Sequence, residues 1–302
     1  MEKIGLVTIT YNSADVIKGF LDSTLNQTFQ KFVIYIIDNK SNDDTLKIVD
    51  SYTDERIKVV KNSKNFGVAE ANNQGIKLSI KDECTQVLIV NNDVEFESTL
   101  LDKMLKVQKV NDCSLVVPKM MYFDNPDHIW YAGSTFVKRK GYLPIHKGIK
   151  QKDEGQFDGI YPVEYAPTCC LLVKKEVFED VGFMDEKYFV YFDDTDFSYR
   201  VLKDKNHKMY FFSDVKFYHK VGSLTKSVEK ENKKEYRGDF FIMQNTRNHI
   251  YFLKKIGSVY AYFFIVFLFF KNNLRILTNK NFRTDFNTWK LIMKSYFEGL
   301  RM

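Results

Sequence analysis

The chain has 302 residues, 44% apolar and 16% aromatic, with 14 Gly and 5 Pro, which suits one large domain or two sharing a cleft and excludes a disordered, collagenous or low-complexity protein. The formal charge is +6, yet ten Lys/Arg against Asp285 and Glu298 fall after residue 243, so the C-terminal segment is basic and the body slightly acidic. That separation argues against a nucleic-acid partner, which more often meets positive charge spread over a folded face.

Ile4–Thr10 is β-rich and too short for the apolar core of a signal peptide, so it reads as a first strand. Residues 13–26 carry Val16, Phe20, Leu21 and Leu25 at helical spacing. The apolar run 32–37 ends at Asp38, and Asn42-Asp43-Asp44-Thr45 reads as the cap of a helix reaching Tyr52. A strand over 57–60, a helix over 68–79 and a strand over 87–90 follow, the last ending at Asn91-Asn92-Asp93. This rhythm predicts a parallel, doubly wound α/β sheet, whose ligands bind beyond the carboxyl ends of the strands. Tyr11-Asn12, Asp38-Asn39 and Asn91-Asn92-Asp93 all fall at that edge.

Further on, a helix is expected over 98–110 and a strand over 114–118. A loop-rich stretch with short strands spans 124–165. A strand over 165–174 and a short helix over 175–181 come next. Then comes Tyr188-Phe-Val-Tyr-Phe-Asp193-Asp194-Thr-Asp196, opening a helix with Asp196 and Arg200 at i,i+4. Three carboxylates within four positions among aromatic rings are costly to bury without partners. A site that takes a proton from a substrate hydroxyl gains from such a cluster. Residues 208–213 and 215–218 are β-like and lead to His219. A charged stretch over 228–238 precedes a helical segment, 239–302, the one plausible separate module. Cys84, Cys113, Cys169 and Cys170 lack CxxC spacing and are expected to be reduced core residues of a cytosolic protein.

Taken singly, these motifs stay ambiguous. Asn91-Asn92-Asp93 is either a turn or a strand-end carboxylate that binds a divalent metal. Asp38 and Asp43 are either caps or acceptors for a base or ribose. Lys64-Asn65-Phe66-Gly67 and Asn72-Asn73-Gln74-Gly75 permit close backbone approach to a nucleotide, or simply form a loop and a cap. His219 is either structural or a metal ligand. No Walker A loop, GxSxG elbow or HExxH is present.

Jointly, in order and spacing, Thr10-Tyr11-Asn12, Asp38-Asn39, Asp43, Asn65-Phe66-Gly67, Asn73-Gln74-Gly75 and Asn91-Asn92-Asp93 resemble the nucleotide-sugar half of family 2 glycosyltransferases. Val181-Gly-Phe-Met-Asp-Glu186, Asp193-Asp194-Thr195-Asp196 with Arg200, and His219 continue the likeness, which covers about residues 4–225, extends weakly to Arg247-Asn248 and looks most like the bacterial rhamnosyltransferase branch. The resemblance implies a GT-A fold: a mostly parallel central sheet flanked by helices, residues 1–97 forming the nucleotide-sugar half, 98–238 the acceptor half and 239–302 a helical extension. It implies inverting, metal-dependent transfer from a UDP- or dTDP-sugar, rhamnose foremost, to a glycan or lipid-linked glycan hydroxyl in cell-surface polysaccharide synthesis. Asp194 is then the base, supported by Asp193 and Asp196. Thr10, Tyr11, Asn12, Asp38, Asn39, Asp43, Asn65, Gly67, Asn73, Asn91, Asn92 and Arg200 serve the nucleotide sugar, and Asp93 with His219 holds Mn2+ or Mg2+. One departure is Asp193, where the family more often has Glu.

Residues 256–270 carry no charge between Lys255 and Lys271, and as one helix would reach about 22 Å, short of a bilayer core. A buried helix, a homodimer contact and a segment lying on the inner-leaflet surface all fit, the last placing the protein peripherally at the cytoplasmic face. Three rival functions weigh less. A nucleotidyltransferase needs a basic Gly-rich loop where Thr10-Tyr11-Asn12 stands. A processive synthase needs long spans and a QxxRW motif, and Gln244-Asn-Thr-Arg-Asn248 lacks the Trp. A non-catalytic nucleotide-sugar binder requires the acidic cluster to lie off the site.

Overall fold

The computed structural model describes residues 2–220, 238–278 and 286–302. Strands β1 (Ile4–Thr10), β2 (Phe32–Asp38), β3 (Ile57–Lys61) and β4 (Gln86–Val90) lie parallel in the order β3-β2-β1-β4. They are linked by helices α1 (Ile17–Leu25), α2 (Thr45–Asp50) and α3 (Val68–Lys81). β1, β2 and β4 are buried almost without a break, as strands covered on both faces must be. β3 is half-buried and carries Lys58 and Lys61, which suits an edge strand.

The second half of the sheet is mixed. Chain order continues with β5 (Val94–Phe96), α4 (Leu100–Val110), β6 (Leu115–Pro118), β7 (Met120–Tyr122) and β8 (Ile129–Tyr131). The hairpin β9 (Ser134–Val137) and β10 (Leu143–His146), then β11 (Ile160–Pro162), β12 (Cys170–Lys174) and α5 (Lys175–Asp180) follow. Last come α6 (Asp193–Asp204), β13 (Met209–Phe212) and β14 (Phe217–His219). β12 runs antiparallel to both β4 and β6, β13 is parallel to β6, and β11 closes the far edge. A second sheet, β5-β14-β7-β8, stands beside the end of β4. The expected strand over 165–174 exists only in its second half, and residues 165–169 form a loop at the β4 edge.

Three helices end the chain: α7 (Asp239–Ile256), α8 (Val259–Thr278) and α9 (Phe286–Arg301). Gly257, left-handed at φ 64, closes α7, so residues 256–270 are not one helix. Of the expected charged stretch 228–238, all but Gly238 lies outside the described residues. A second apolar core joins Tyr188 and Phe192 to Phe252 and Leu253 of α7, Phe264 of α8 and Tyr296 of α9, so the C-terminal helices pack directly on the acidic segment. The four cysteines are buried and free. Among the described residues no helix is long and apolar enough to cross a membrane.

Candidate active site

The ends of β1 and β2 form a knitted edge. Thr10 Oγ1 donates to Asp38 Oδ1 at 2.8 Å, and the Ser41 N–H donates to Asp38 Oδ2 at 2.9 Å. Asn12 sits at φ 51, a left-handed conformation Asn tolerates better than most residues. Its N–H donates to Ser41 Oγ and its Oδ1 accepts from the Asn42 N–H. Asp38 is buried, so its carboxylate shapes the loop from beneath, while Tyr11 is 40% exposed at the same edge. Asp43 accepts from the N–H groups of Ala14 and Thr45. Burial works to raise its pKa, but these bonds and the Thr45 hydroxyl outweigh it and hold the carboxyl below its usual value.

At the end of β4, buried Asn92 donates to Ile9 O and Ser13 Oγ and so ties β4 to β1. The Asn91 N–H donates to Cys169 O. The antiparallel pairing of His219 with Val94 sets the imidazole beside Asp93, with Nε2 3.3 Å from Asp93 Oδ1. Burial alone would lower the His219 pKa, but Cys169 and Asp93 reverse this and raise it. Burial also pushes the Cys169 thiol up, so Asp93 is the charge that favours the protonated ring, and a metal ion held by this nitrogen would have to displace that proton. His219 Nδ1 is buried without a hydrogen-bond partner. An oxygen and a nitrogen at this separation are spaced like neighbouring ligands of one octahedral ion, so the pair fits a divalent metal. Among the described residues no third His, Cys, Asp or Glu joins them.

The acceptor side is built at the start of α6. Tyr191 (φ 64) and Phe192 (φ 72) are both left-handed, a strained turn for two aromatic residues. Fully buried Asn248 of α7 stabilises it by donating to Val190 O at 2.9 Å and Tyr191 O at 2.8 Å. Out of this turn come Asp193 and Asp194. Burial, then the Asp194 charge, raises the Asp193 pKa. Burial likewise raises that of Asp194, although the Tyr165 hydroxyl donates to its Oδ2 at 2.7 Å. Tyr165 stacks on His146, and Trp130 meets both His146 and His219 edge-on. A continuous aromatic wall therefore links the Asp93–His219 pair to Asp194.

Other expected site residues lie elsewhere. Asp196 is buried between Lys255 Nζ (2.7 Å) and Arg200 Nε (2.8 Å) and is not an available base. Arg200 also donates to the carbonyls of Val181 and Phe183. It is therefore a half-buried strut that holds the 181–183 loop on α6. Asn73 exchanges hydrogen bonds with the backbone of Met184 and donates to Glu186, which pins the 184–186 loop to α3. Asn39 accepts from Asn62 Nδ2 and donates to Gly67 O, and Asn65 Oδ1 accepts the Gly67 N–H. Gly67 lies at φ 87, where a Cβ would sit 2.4 Å from Phe189 O. The Val68 N–H donates to that same carbonyl at 2.6 Å, so glycine is needed for the two halves to meet. Tyr165, His146 and Trp130 are residues of this site that the sequence reading does not pick out, and Asn248 enters it only as a weak extension of the family resemblance.

The glycosyl transferase family 2 profile matches residues 6–182. Among curated proteins, the dTDP-rhamnosyl transferase RfbF of Shigella flexneri is 27% identical over 294 residues, 91% of this chain and 88% of RfbF. The low-salt glycan biosynthesis hexosyltransferase Agl10 of Haloferax volcanii is 25% identical over 211 residues, 68% of this chain but 63% of Agl10. Among solved structures, S. aureus TarS 1-349 superposes with a TM-score of 0.59 at 16% identity, covering 98% of this chain and 80% of that one. Its complex with UDP gives 0.57 at 16% identity, over 99% and 81%. At such identities the likeness is one of fold: a central α/β sheet of GT-A type with helices after it.

Proposed function

The chain belongs to glycosyl transferase family 2 and is a nucleotide-sugar glycosyltransferase; we propose that it inverts the anomeric centre as it moves a sugar to a glycan or lipid-linked glycan hydroxyl in cell-surface polysaccharide synthesis. The carrying observation is the Asp193–Asp194 pair at the start of α6, which Tyr165 and the aromatic wall join to Asp93 and His219 and whose burial raises both pKa values, as suits proton transfer. Tyr165 fixes Asp194 through Oδ2, and Oδ1, beside Thr195 Oγ1, is the oxygen offered to an acceptor. The acceptor hydroxyl gives its proton to Asp194 while its oxygen attacks the anomeric carbon. The bond to the nucleoside diphosphate breaks on the opposite face. Asp193 keeps a proton to higher pH than an ordinary carboxyl, so the pair presents one negative charge rather than two.

On the donor side, Tyr11, Asn12 and Asp43 line the nucleotide pocket, and Asp38 and Thr10 hold its loop from below. Asp93 and His219 would hold Mn2+ or Mg2+, which when bound offsets charge on the departing diphosphate. RfbF makes dTDP-rhamnose the first donor to try, with UDP-sugars next. A lipid-linked acceptor would be met at the cytoplasmic leaflet. The test is release of free nucleotide from a panel of dTDP- and UDP-sugars with Mn2+ or Mg2+ and an acceptor glycan, followed by NMR of the new linkage. Metal-dependent release with an inverted anomeric centre is expected. Retention of configuration, or release that ignores added metal and chelator alike, would overturn the reading.

A further inference from the structure

Among the described residues, helix α8 carries an uncovered apolar face that no step of sugar transfer uses. Val259, Tyr262, Phe263, Val266, Phe267 and Phe270 repeat at helical spacing along about 17 Å, and Val259 and Phe263 are 88% and 65% exposed. The opposite face is the one that packs: Ala261, Phe264 and Ile265 are buried in the second core. A stripe this long and aromatic is unusual on a free surface and marks a contact.

Charge identifies the contact. Lys138, Arg139 and Lys140 are exposed side by side, and Lys138 Nζ lies 4.9 Å above the Tyr260 ring, which places this basic triplet at the start of the stripe. Gly141, the next residue, accepts a hydrogen bond from His249 Nε2 and packs on Phe264, so the triplet is fixed against α7 and α8. Toward the other end Lys271 lies over Phe267. Trp289 Nε1 donates to Asn273, bringing the exposed Lys290 of α9 near. No Asp or Glu occurs within α8 or within residues 134–150. α8 is not apolar enough to span a bilayer, so it would lie on one.

We propose that this face docks on an anionic lipid bilayer: the aromatic stripe enters the headgroup boundary, and the basic residues at its two ends meet lipid phosphates. The docked surface adjoins the acceptor side of the cleft, because His249, held by Gly141, stacks on Phe192 just before Asp193. Only the benefit to a lipid-linked acceptor rests on the proposed reaction; the docking itself does not.

Flotation of the full chain with vesicles of phosphatidylcholine, with and without phosphatidylglycerol, tests this. Co-flotation only with the anionic vesicles, weakening as salt rises, is expected. The pair Phe263→Ser/Phe267→Ser and the triple Lys138→Ser/Arg139→Ser/Lys140→Ser should each reduce binding at least tenfold with unchanged melting temperature and donor affinity. No flotation with anionic vesicles, or flotation that neither variant weakens, would overturn the proposal. So would a dimer in sedimentation that the Phe pair dissolves, since a second copy would then cover the face. Vesicle binding without any sugar transfer would instead count against the enzymatic reading alone.

Discussion

The donor edge and the acceptor turn both place aspartates beside the ends of central strands, yet the two regions treat the carboxylate in opposite ways. Asp38 and Asp43 receive hydrogen bonds from neighbouring hydroxyl and N–H groups, and Asp43 stays easily ionised. Asp193 and Asp194 are crowded together behind aromatic rings, and burial makes both hold their protons more tightly, the Asp194 charge adding to the rise at Asp193. Asp196, three residues further, is neutralised by Lys255 and Arg200 and belongs with the first kind. The supply of donors around a carboxylate, more than its place in the sequence, decides whether it fixes a loop or moves a proton.

The sharpest way to break this contrast is Asp194→Asn. It keeps the shape and the bond from Tyr165 while removing the proton acceptor, so turnover should fall about 10²–10⁴-fold with donor affinity intact. Near-normal turnover would remove Asp194 from its role. Asp93→Ala should act on the other region: calorimetry with Mn2+ is expected to show donor binding weakened by several kcal/mol, about 100-fold or more, and no longer dependent on metal. Unchanged affinity would dissociate Asp93 from the ion.

A smaller effect is expected from Asn248→Ala, which touches neither substrate. Loss of two hydrogen bonds to buried carbonyls should cost about 1–3 kcal/mol of stability. The freed turn at Tyr191–Phe192 should also misplace Asp194, lowering kcat while leaving donor affinity unchanged. A variant that loses stability alone would make Asn248 a packing residue. Gln is a poor replacement, because one more methylene displaces the amide from the two carbonyls it bridges.

The donor half is largely legible in the sequence, because its buried strands are apolar runs and two of them, β2 and β4, run straight into Asp38 and Asn91. The antiparallel β12 is not, since an apolar run carries no mark of direction. Nor does residue type tell a ligand contact from a strut. Asn73 and Arg200 look like binding residues but turn inward to hold the 181–186 loop. The Tyr165–Asp194 and Asn248–Val190 bonds join residues 29 and 58 positions apart. Sequence spacing cannot show such pairs. The one available signal is Arg247-Asn248, a weak extension of the family likeness that says nothing of which carbonyls the Asn bridges.

The smallest expected effect is on stability. A carboxyl whose folded pKa exceeds its unfolded value, near 3.9, binds its proton more tightly when folded. Its contribution is therefore favourable below that unfolded pKa and is lost as pH rises through the folded one. For Asp193 the shift is upward, so keeping the acid beside Asp194 destabilises the protein at neutral pH. Asp193→Asn, which mimics the protonated form at every pH, should raise Tm by a few °C at pH 7–8, about 2–4 °C per kcal/mol. The gain should vanish near pH 4, where the wild-type group is itself neutral. Because Asp193 already holds its proton where Asp194 ionises, the same change should leave the acid limb of the rate profile in place. An Asp38→Asn variant, by contrast, exchanges an acceptor of three hydrogen bonds for an amide and should lower Tm. If both substitutions shift Tm in the same direction, the two regions do not differ in the way their surroundings indicate.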